Sequence, residues 1–229
     1  MARRPEKRTG DGSSKSRRLS DIAYSRILEN LFERQLPAGA FVSQNDLVML
    51  LGIPVGPLRD ALRVLEAEGV LKIHPRSGIE FVKPGLELTR STYQFRTIIE
   101  RAAVRIFAET APSELLEELR SEHQALIGRL VSGEIDPDAL LELERLEGRL
   151  HNSIVGIMSN PLIESSYRRM HNYLRLVRLD RRLTSPLALR SLHEHMQIID
   201  ACIARDADRA DAAVRAHFTE ALQRHLGIS

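Results

Sequence analysis

The chain of 229 residues has one cysteine, Cys202, no tryptophan and only 4% aromatic residues. A single thiol excludes an intramolecular disulfide framework and any zinc site made of thiolates alone. With so few aromatics, Leu, Ile, Val and Ala must build most of the core. No apolar run reaches the roughly 18 residues that a membrane-spanning helix needs. The basic start MARRPEKRTGDGSSKSRR lacks the apolar segment of a secretory signal, so a soluble, cytoplasmic protein is expected. His-Glu-x-x-His, Gly-x-Ser-x-Gly, a glycine-rich phosphate loop and a dinucleotide motif are all missing.

What is present is an ordinary globular balance, 43% hydrophobic and 28% charged. Net charge is +2 but uneven: residues 1–18 hold seven Lys/Arg against Glu6 and Asp11. With its Gly and Ser content this segment is expected to be a disordered basic arm. Such an arm either binds nucleic acid by releasing phosphate counterions or is a solvated tail.

Residues 19–84 read as three short helices and a small hairpin. Ser20 can cap a helix to about Arg34, with Ile27, Leu28, Leu31 and Phe32 on one stripe. Ser43, with Asp46 three residues on, opens a second helix that ends near Leu51-Gly52. A third begins near Pro57, buries Leu58, Ala61, Leu62 and Leu65, and closes at Gly69. Strand-like runs Val70 to His74 and Ile79 to Val82 flank the turn Pro75-Arg76-Ser77-Gly78. This is the layout of a winged helix-turn-helix, which presents the start of its third helix to the DNA major groove. Arg59 in that first turn is the candidate base or phosphate contact, and Arg76 at the hairpin tip can reach phosphate or the minor groove. The other reading is a protein-binding winged helix with Arg59 on its surface.

The stretch LPAGAFVSQNDLVMLLGIPVGPLRDALRVLEAEGVLKIHPRSGIEFV resembles the DNA-binding domain of GntR-family transcriptional regulators. The resemblance is carried by Pro37-Ala38-Gly39, Ser43 to Leu47, Leu51-Gly52-Ile53, Pro57-Leu58-Arg59-Asp60-Ala61-Leu62, Leu65 to Val70 and Arg76 to Gly78. It implies DNA contacts from Ser43, Gln44, Asn45, Gly56, Arg59, Arg63, Arg76 and Gly78. Where many members carry Ser-Arg before the third helix, this chain has Pro54-Val55, so its readout is expected to lean on Arg59, Arg76 and the arm.

Lys83-Pro84-Gly85 reads as a boundary, and residues 85–229 show only helical periodicity. Six helices are expected, from Thr89, Pro112, Asp136-Pro137, Asn160-Pro161, Ser185-Pro186 and Asp206, forming an all-α bundle. The first carries Phe95, Ile98, Ile99, Ala102, Ile106 and Phe107 as its apolar set. Polar residues interrupt three later stripes. Glu147 and His151 sit in or beside Leu140, Leu143, Leu146, Leu150, Ile154 and Met158. His195 falls on Leu192, Met196, Ile199 and Ile203. His217 falls on Ala210, Val214, Phe218, Ala221 and Leu222. Residues four apart share a helix face, so Glu147 and His151 can chelate one ion together, with His195 and His217 completing the shell. Such a nitrogen and oxygen set suits zinc, nickel, manganese or iron. The alternative is four core side chains satisfied by hydrogen bonds.

This half resembles the FCD effector domain of the FadR-type subgroup, whose Asp-x-x-x-His and two later His appear here as Glu147-Gly148-Arg149-Leu150-His151, His195 and His217. The resemblance implies a divalent transition metal, zinc first, at the floor of a cavity that receives a small organic acid. Arg96 matches the family's Arg-x-x-apolar-Glu, and it either holds a carboxylate or pairs with Glu100 on the helix surface. Asn160, Tyr173 and Arg175 are further effector candidates by rough position. The expectation is a mainly α protein with no catalytic residues. It would be a homodimeric regulator, a repressor, on a palindromic operator in double-stranded DNA. A metal-dependent enzyme or a protein-interaction module that kept the winged-helix fold are the alternatives.

Overall fold

The computed structural model describes residues 11–36, 38–133, 136–179 and 184–227. The chain divides between Pro84 and Gly85 into two compact units.

The first unit holds α1 (Asp11–Phe32), β1 (Phe41–Val42), α2 (Gln44–Leu51), α3 (Val55–Ala67), β2 (Leu71–His74) and β3 (Gly78–Phe81). α1 begins at Asp11, well before Ser20, so residues 11–18 are helical where composition predicts an arm; the rest of that segment lies outside the described residues. Once Ala23, Ile27 and Leu31 bury one face, extending a helix costs little per residue. Ser20 is therefore interior to the helix, its hydroxyl donating to the Arg17 carbonyl at 3.0 Å. Ser43 does cap α2: its hydroxyl accepts from the Asp46 amide, and the Asp46 carboxylate accepts from the Ser43 amide. Gly52 ends α2 in the left-handed region at φ 64°.

α3 starts at Val55, so Pro57 is its third residue rather than its first. That position still lacks an intrahelical acceptor, so the ring costs no hydrogen bond. The sheet has order β1-β3-β2, all antiparallel, with Phe41 opposite Glu80 and Ile73 opposite Ile79. β1 is two residues long, too short to leave an alternating pattern in the sequence. Ile27, Leu31, Leu47, Leu58, Leu62, Leu65, Val70 and Phe81 form the core.

The second unit holds α4 (Leu86–Thr110), α5 (Ser113–Val131), α6 (Pro137–Gly156), α7 (Pro161–Leu179), α8 (Ser185–Ile203) and α9 (Ala207–Leu226). Asp136 and Asp206 cap α6 and α9 through the Ala139 and Arg209 amides. α4 packs against α9, α7, α6 and α8. The guanidinium of Arg205 donates to the Ala108 and Ala111 carbonyls and to Ser113 Oγ, which ties the α8–α9 turn to the α4–α5 turn.

One expectation about α4 is corrected. Ile98 is 62% exposed and Ile106 41%, and Ala102 is exposed too. The buried face instead carries Thr89, Thr92, Tyr93, Arg96, Glu100, Ala103, Val104 and Phe107. An apolar stripe misleads here because the inward face holds polar groups that satisfy one another. Leu140 of α6 is likewise exposed.

Candidate metal centre and nucleic-acid interface

Glu147 and His151 on α6, His195 on α8 and His217 on α9 are all buried, and one ligand atom from each lies within 4.8 Å of all the others. The three imidazole rings stand 4.8–5.3 Å apart between centroids. Helical periodicity brings these four together as the sequence predicts.

The outer nitrogens of the rings are spoken for. His151 Nδ1 donates to Glu100 Oε2. His217 Nδ1 donates to Glu194 Oε2 at 2.8 Å, and Glu194 also accepts from Arg224. His195 Nδ1 meets His123 Nε2 at 3.3 Å, while His123 Nδ1 meets the Leu119 carbonyl at 2.7 Å. A carbonyl only accepts, so His123 carries its proton on Nδ1 and its Nε2 must accept from His195. Each of the three rings thus keeps a bare lone pair on Nε2, and all three Nε2 atoms are buried without a hydrogen-bond partner. Leaving a buried acceptor unsatisfied costs about 1–3 kcal/mol, and three converge here. The donor set, three imidazoles and one carboxylate, fits a tetrahedral divalent ion, and outer hydrogen bonds of this kind fix the tautomer of metal-binding histidines.

Burial favours the neutral form of His151, His195 and His123. It pushes His151 down to about 4 despite the neighbouring Glu100 carboxylate, and it lowers His195 and His123 in the same direction. Glu147 is also buried, which disfavours its charge, but the Arg178 guanidinium grips both of its oxygens and holds it ionised well below the usual range. Glu100 is likewise opposed by burial, yet Arg96 and His151 bring it down to about 2, with Tyr167 also donating at 2.7 Å.

Arg96 pairs with Glu100 at 2.8 Å, but in the core rather than on the helix surface, with side-chain exposures of 1% and 0%. Its guanidinium lies 4.5 Å over the Phe218 ring, and its Nη1 is buried without a protein partner. His171 on α7 is half-buried and pushed down to about 4 by burial and by the charges of Arg96 and Arg178.

The weaker effector candidates fare differently. Asn160 is exposed, and its Oδ1 accepts from the Leu162 and Ile163 amides, so it is the cap of α7 and not a cavity residue. Arg175 is exposed and Tyr173 half-buried. His193 is exposed, as its spacing from His195 requires. Cys202 is fully buried, with its thiol pushed up to about 12 by burial, which makes it a core residue.

Sequence reasoning missed His123, Glu194, Tyr167, His171 and Arg178 as parts of this centre. His123 had the same signal as the ligands, for it falls on the Leu116, Leu119, Leu126 and Leu130 stripe. Arg178 follows Leu174 by one turn on the buried side of α7.

In the first unit, Gln44 and Asn45 come from the start of α2, Gly56 and Arg59 from the first turns of α3, and Arg63 from the later half of α3. Arg59 is exposed and its Nε donates to Gln44 Oε1 at 3.0 Å, so one side chain holds the other in place. Arg63 is exposed beside Asp60, and Asn45 and Gly56 are exposed. Arg76 occupies the hairpin tip at φ 65° and is exposed. Two expected DNA contacts also have structural duties. Ser43 is engaged in the capping box. Gly78 is half-buried, at φ 134°, and a Cβ there would sit 2.7 Å from the Val42 carbonyl oxygen.

A winged helix-turn-helix followed by an all-α domain with an inward Glu/His cluster defines a class of DNA-binding regulator. The chain belongs to the GntR family of bacterial regulatory proteins: that family matches residues 19–81, and the FCD domain family matches residues 91–220. It is a transcriptional regulator, not an enzyme. The chain is 23% identical over 195 residues to the HTH-type transcriptional regulator YdhC of Bacillus subtilis, covering 85% of both chains. It is 28% identical over 194 residues to the Nta operon transcriptional regulator of Aminobacter aminovorans, covering 82% of this chain and 83% of the other. A solved GntR transcriptional regulator from Rhodococcus sp. RHA1 shares the fold with a TM-score of 0.74 at 18% identity, over 94% of this chain and 99% of that one. No helix among the described residues is long and apolar enough to cross a membrane.

Proposed function

We propose that this regulator carries a divalent transition metal, zinc foremost, on Glu147, His151, His195 and His217, and responds to a small organic acid bound beside it. The observation that carries the reading is the convergence of three buried, unpartnered Nε2 lone pairs with one carboxylate. Arg96, with one buried nitrogen that has no protein partner, is a donor for that carboxylate. Tyr173 and Arg175 on α7 remain candidates for the rest of the effector.

The protein acts as a homodimer. One winged helix reads too few base pairs for specificity, and two related by a two-fold axis read a palindrome. The outward stripe Ile98, Ala102 and Ile106 on α4, bordered by the Arg101–Asp211 ion pair, supplies a surface for the second copy. Effector binding shifts the population between DNA-competent and DNA-incompetent arrangements, and the regulator represses its target until the acid arrives. Gln44, Asn45, Gly56, Arg59, Arg63 and Arg76 form the DNA surface.

Selection on random duplex DNA at physiological salt tests the reading. Metal-loaded protein should enrich a short palindrome, and organic acids should then be screened for loss of that complex. Enrichment of no palindrome, or operator affinity that no acid alters, counts against the operator and effector parts respectively. Metal content that is unchanged when each of the four ligands is replaced by Ala removes the centre.

A further inference from the structure

Glu147 is the one carboxylate of the four-residue cluster, and its three companions are imidazoles. Both of its oxygens are taken: Arg178 Nη1 donates to Oε2 and Nη2 to Oε1. A divalent ion needs one of those oxygens, and a guanidinium facing the same carboxylate repels the ion through a low-dielectric interior. The two cations therefore compete for one ligand.

The neighbouring arginine cannot yield in this way. Arg96 has a side chain 1% exposed, is fixed by Glu100 and is stacked on Phe218. Arg178 has a side chain 30% exposed, against 11% for Glu147. Its head can withdraw into water without losing its hydration, whereas Glu147 stays buried.

We propose that Arg178 is an internal competitor for the metal: it occupies Glu147 in the ion-free domain, releases it when an ion binds, and is then free to hold an anion beside that ion. The inference rests on the metal reading above. It makes metal and carboxylate binding mutually reinforcing, because the ion frees the guanidinium that the carboxylate uses, and by linkage the carboxylate favours the ion to the same degree.

Zinc titrations of the full chain, with a competing chelator, test this in wild type, Arg178→Gln, Arg178→Lys and His151→Ala. Removing the competitor should tighten zinc binding by on the order of tenfold in Arg178→Gln. Arg178→Lys, which keeps a charge but cannot grip both oxygens, should tighten it less, and it serves if the Gln variant fails to fold. Unchanged or weaker zinc binding in both would overturn the proposal, since Arg178 would then merely position Glu147. With acetate as the carboxylate probe, zinc affinity should rise with acetate in wild type and lose most of that dependence in Arg178→Gln. Equal dependence in the two overturns the anion step. If wild type and His151→Ala bind zinc alike, the metal centre itself fails, and the competition with it.

Discussion

His123 decides which nitrogen His195 can offer. With its own Nδ1 committed to the Leu119 carbonyl, His123 Nε2 accepts from His195 Nδ1 at 3.3 Å and leaves His195 Nε2 bare. Replacing His123 by Phe removes that acceptor and frees His195 to adopt the other tautomer. Metal affinity should fall by roughly 10–100-fold, the usual cost of losing such a supporting group. Gln, which can still accept, should restore much of it. Chelator competition measures both.

Metal loading should be visible as stability. At a free metal concentration of about 100 times Kd, binding to the folded state alone adds about 2.7 kcal/mol. Thermal melts with and without zinc should show that gain in wild type and lose it in His151→Ala, where one of the converging lone pairs is gone. An equal shift in the two proteins would place the ion elsewhere.

On DNA, Arg59→Ala should cost about 1–3 kcal/mol at the selected operator and relax its sequence preference, as expected for a base-reading side chain. Its Nε bond to Gln44 implies that Gln44→Ala also weakens binding, by loosening Arg59. Arg63→Ala should instead weaken all sequences alike and flatten the salt dependence. Fluorescence anisotropy at two salt concentrations separates these patterns.

Gly78→Ala should destabilise the first unit by roughly 1–3 kcal/mol, because it forces a side chain into a strained backbone region and against the Val42 carbonyl. Gly56→Ala meets nothing within 4 Å and should leave stability intact. A loss of DNA affinity in Gly56→Ala would then report close approach of the duplex to the first turn of α3. Calorimetric melts and operator binding on the two variants make the comparison.

The metal-free protein should weaken as acid is added. His151 and His171 titrate near 4 when folded, against an ordinary value of 6.5. Their neutral forms cost the folded state nothing above 6.5. Below it the unfolded chain takes up protons that the folded one refuses, so stability falls until pH reaches about 4. Glu100 acts lower, its contribution being present above about 4.5 and lost as pH falls through about 2. Denaturant midpoints at several pH values between 7 and 4 check the histidine part, and a flat profile would contradict it.

The helices of the second unit were legible because proline or a capping Asp, Asn or Ser marks their starts: Asp136-Pro137, Asn160-Pro161, Ser185-Pro186 and Asp206 each open one within a residue or two. The four-residue cluster was legible for a related reason, since an imidazole or carboxylate on a leucine stripe stands out. The same logic failed on α4. Arg96 and Glu100 cancel each other's charge in the core, which no periodicity reveals, and the outward Ile98 and Ile106 drew the stripe to the wrong face. Arg178 was illegible because its meaning depends on a partner 31 residues away. Rough position suggests a cavity role for Asn160, yet a polar side chain just before Pro161 has the simpler duty of capping α7.

Cys202 offers a practical opening. Fully buried, with a thiol pushed up to about 12, it should remain silent to maleimide and other thiol-directed reagents while the fold is intact. Spin or fluorescent labels can therefore be installed through a cysteine introduced at Arg76 or Asn45 in the native background. The wing and the start of α2 can then be followed by spectroscopy as metal and ligand are added, with the natural thiol left in place.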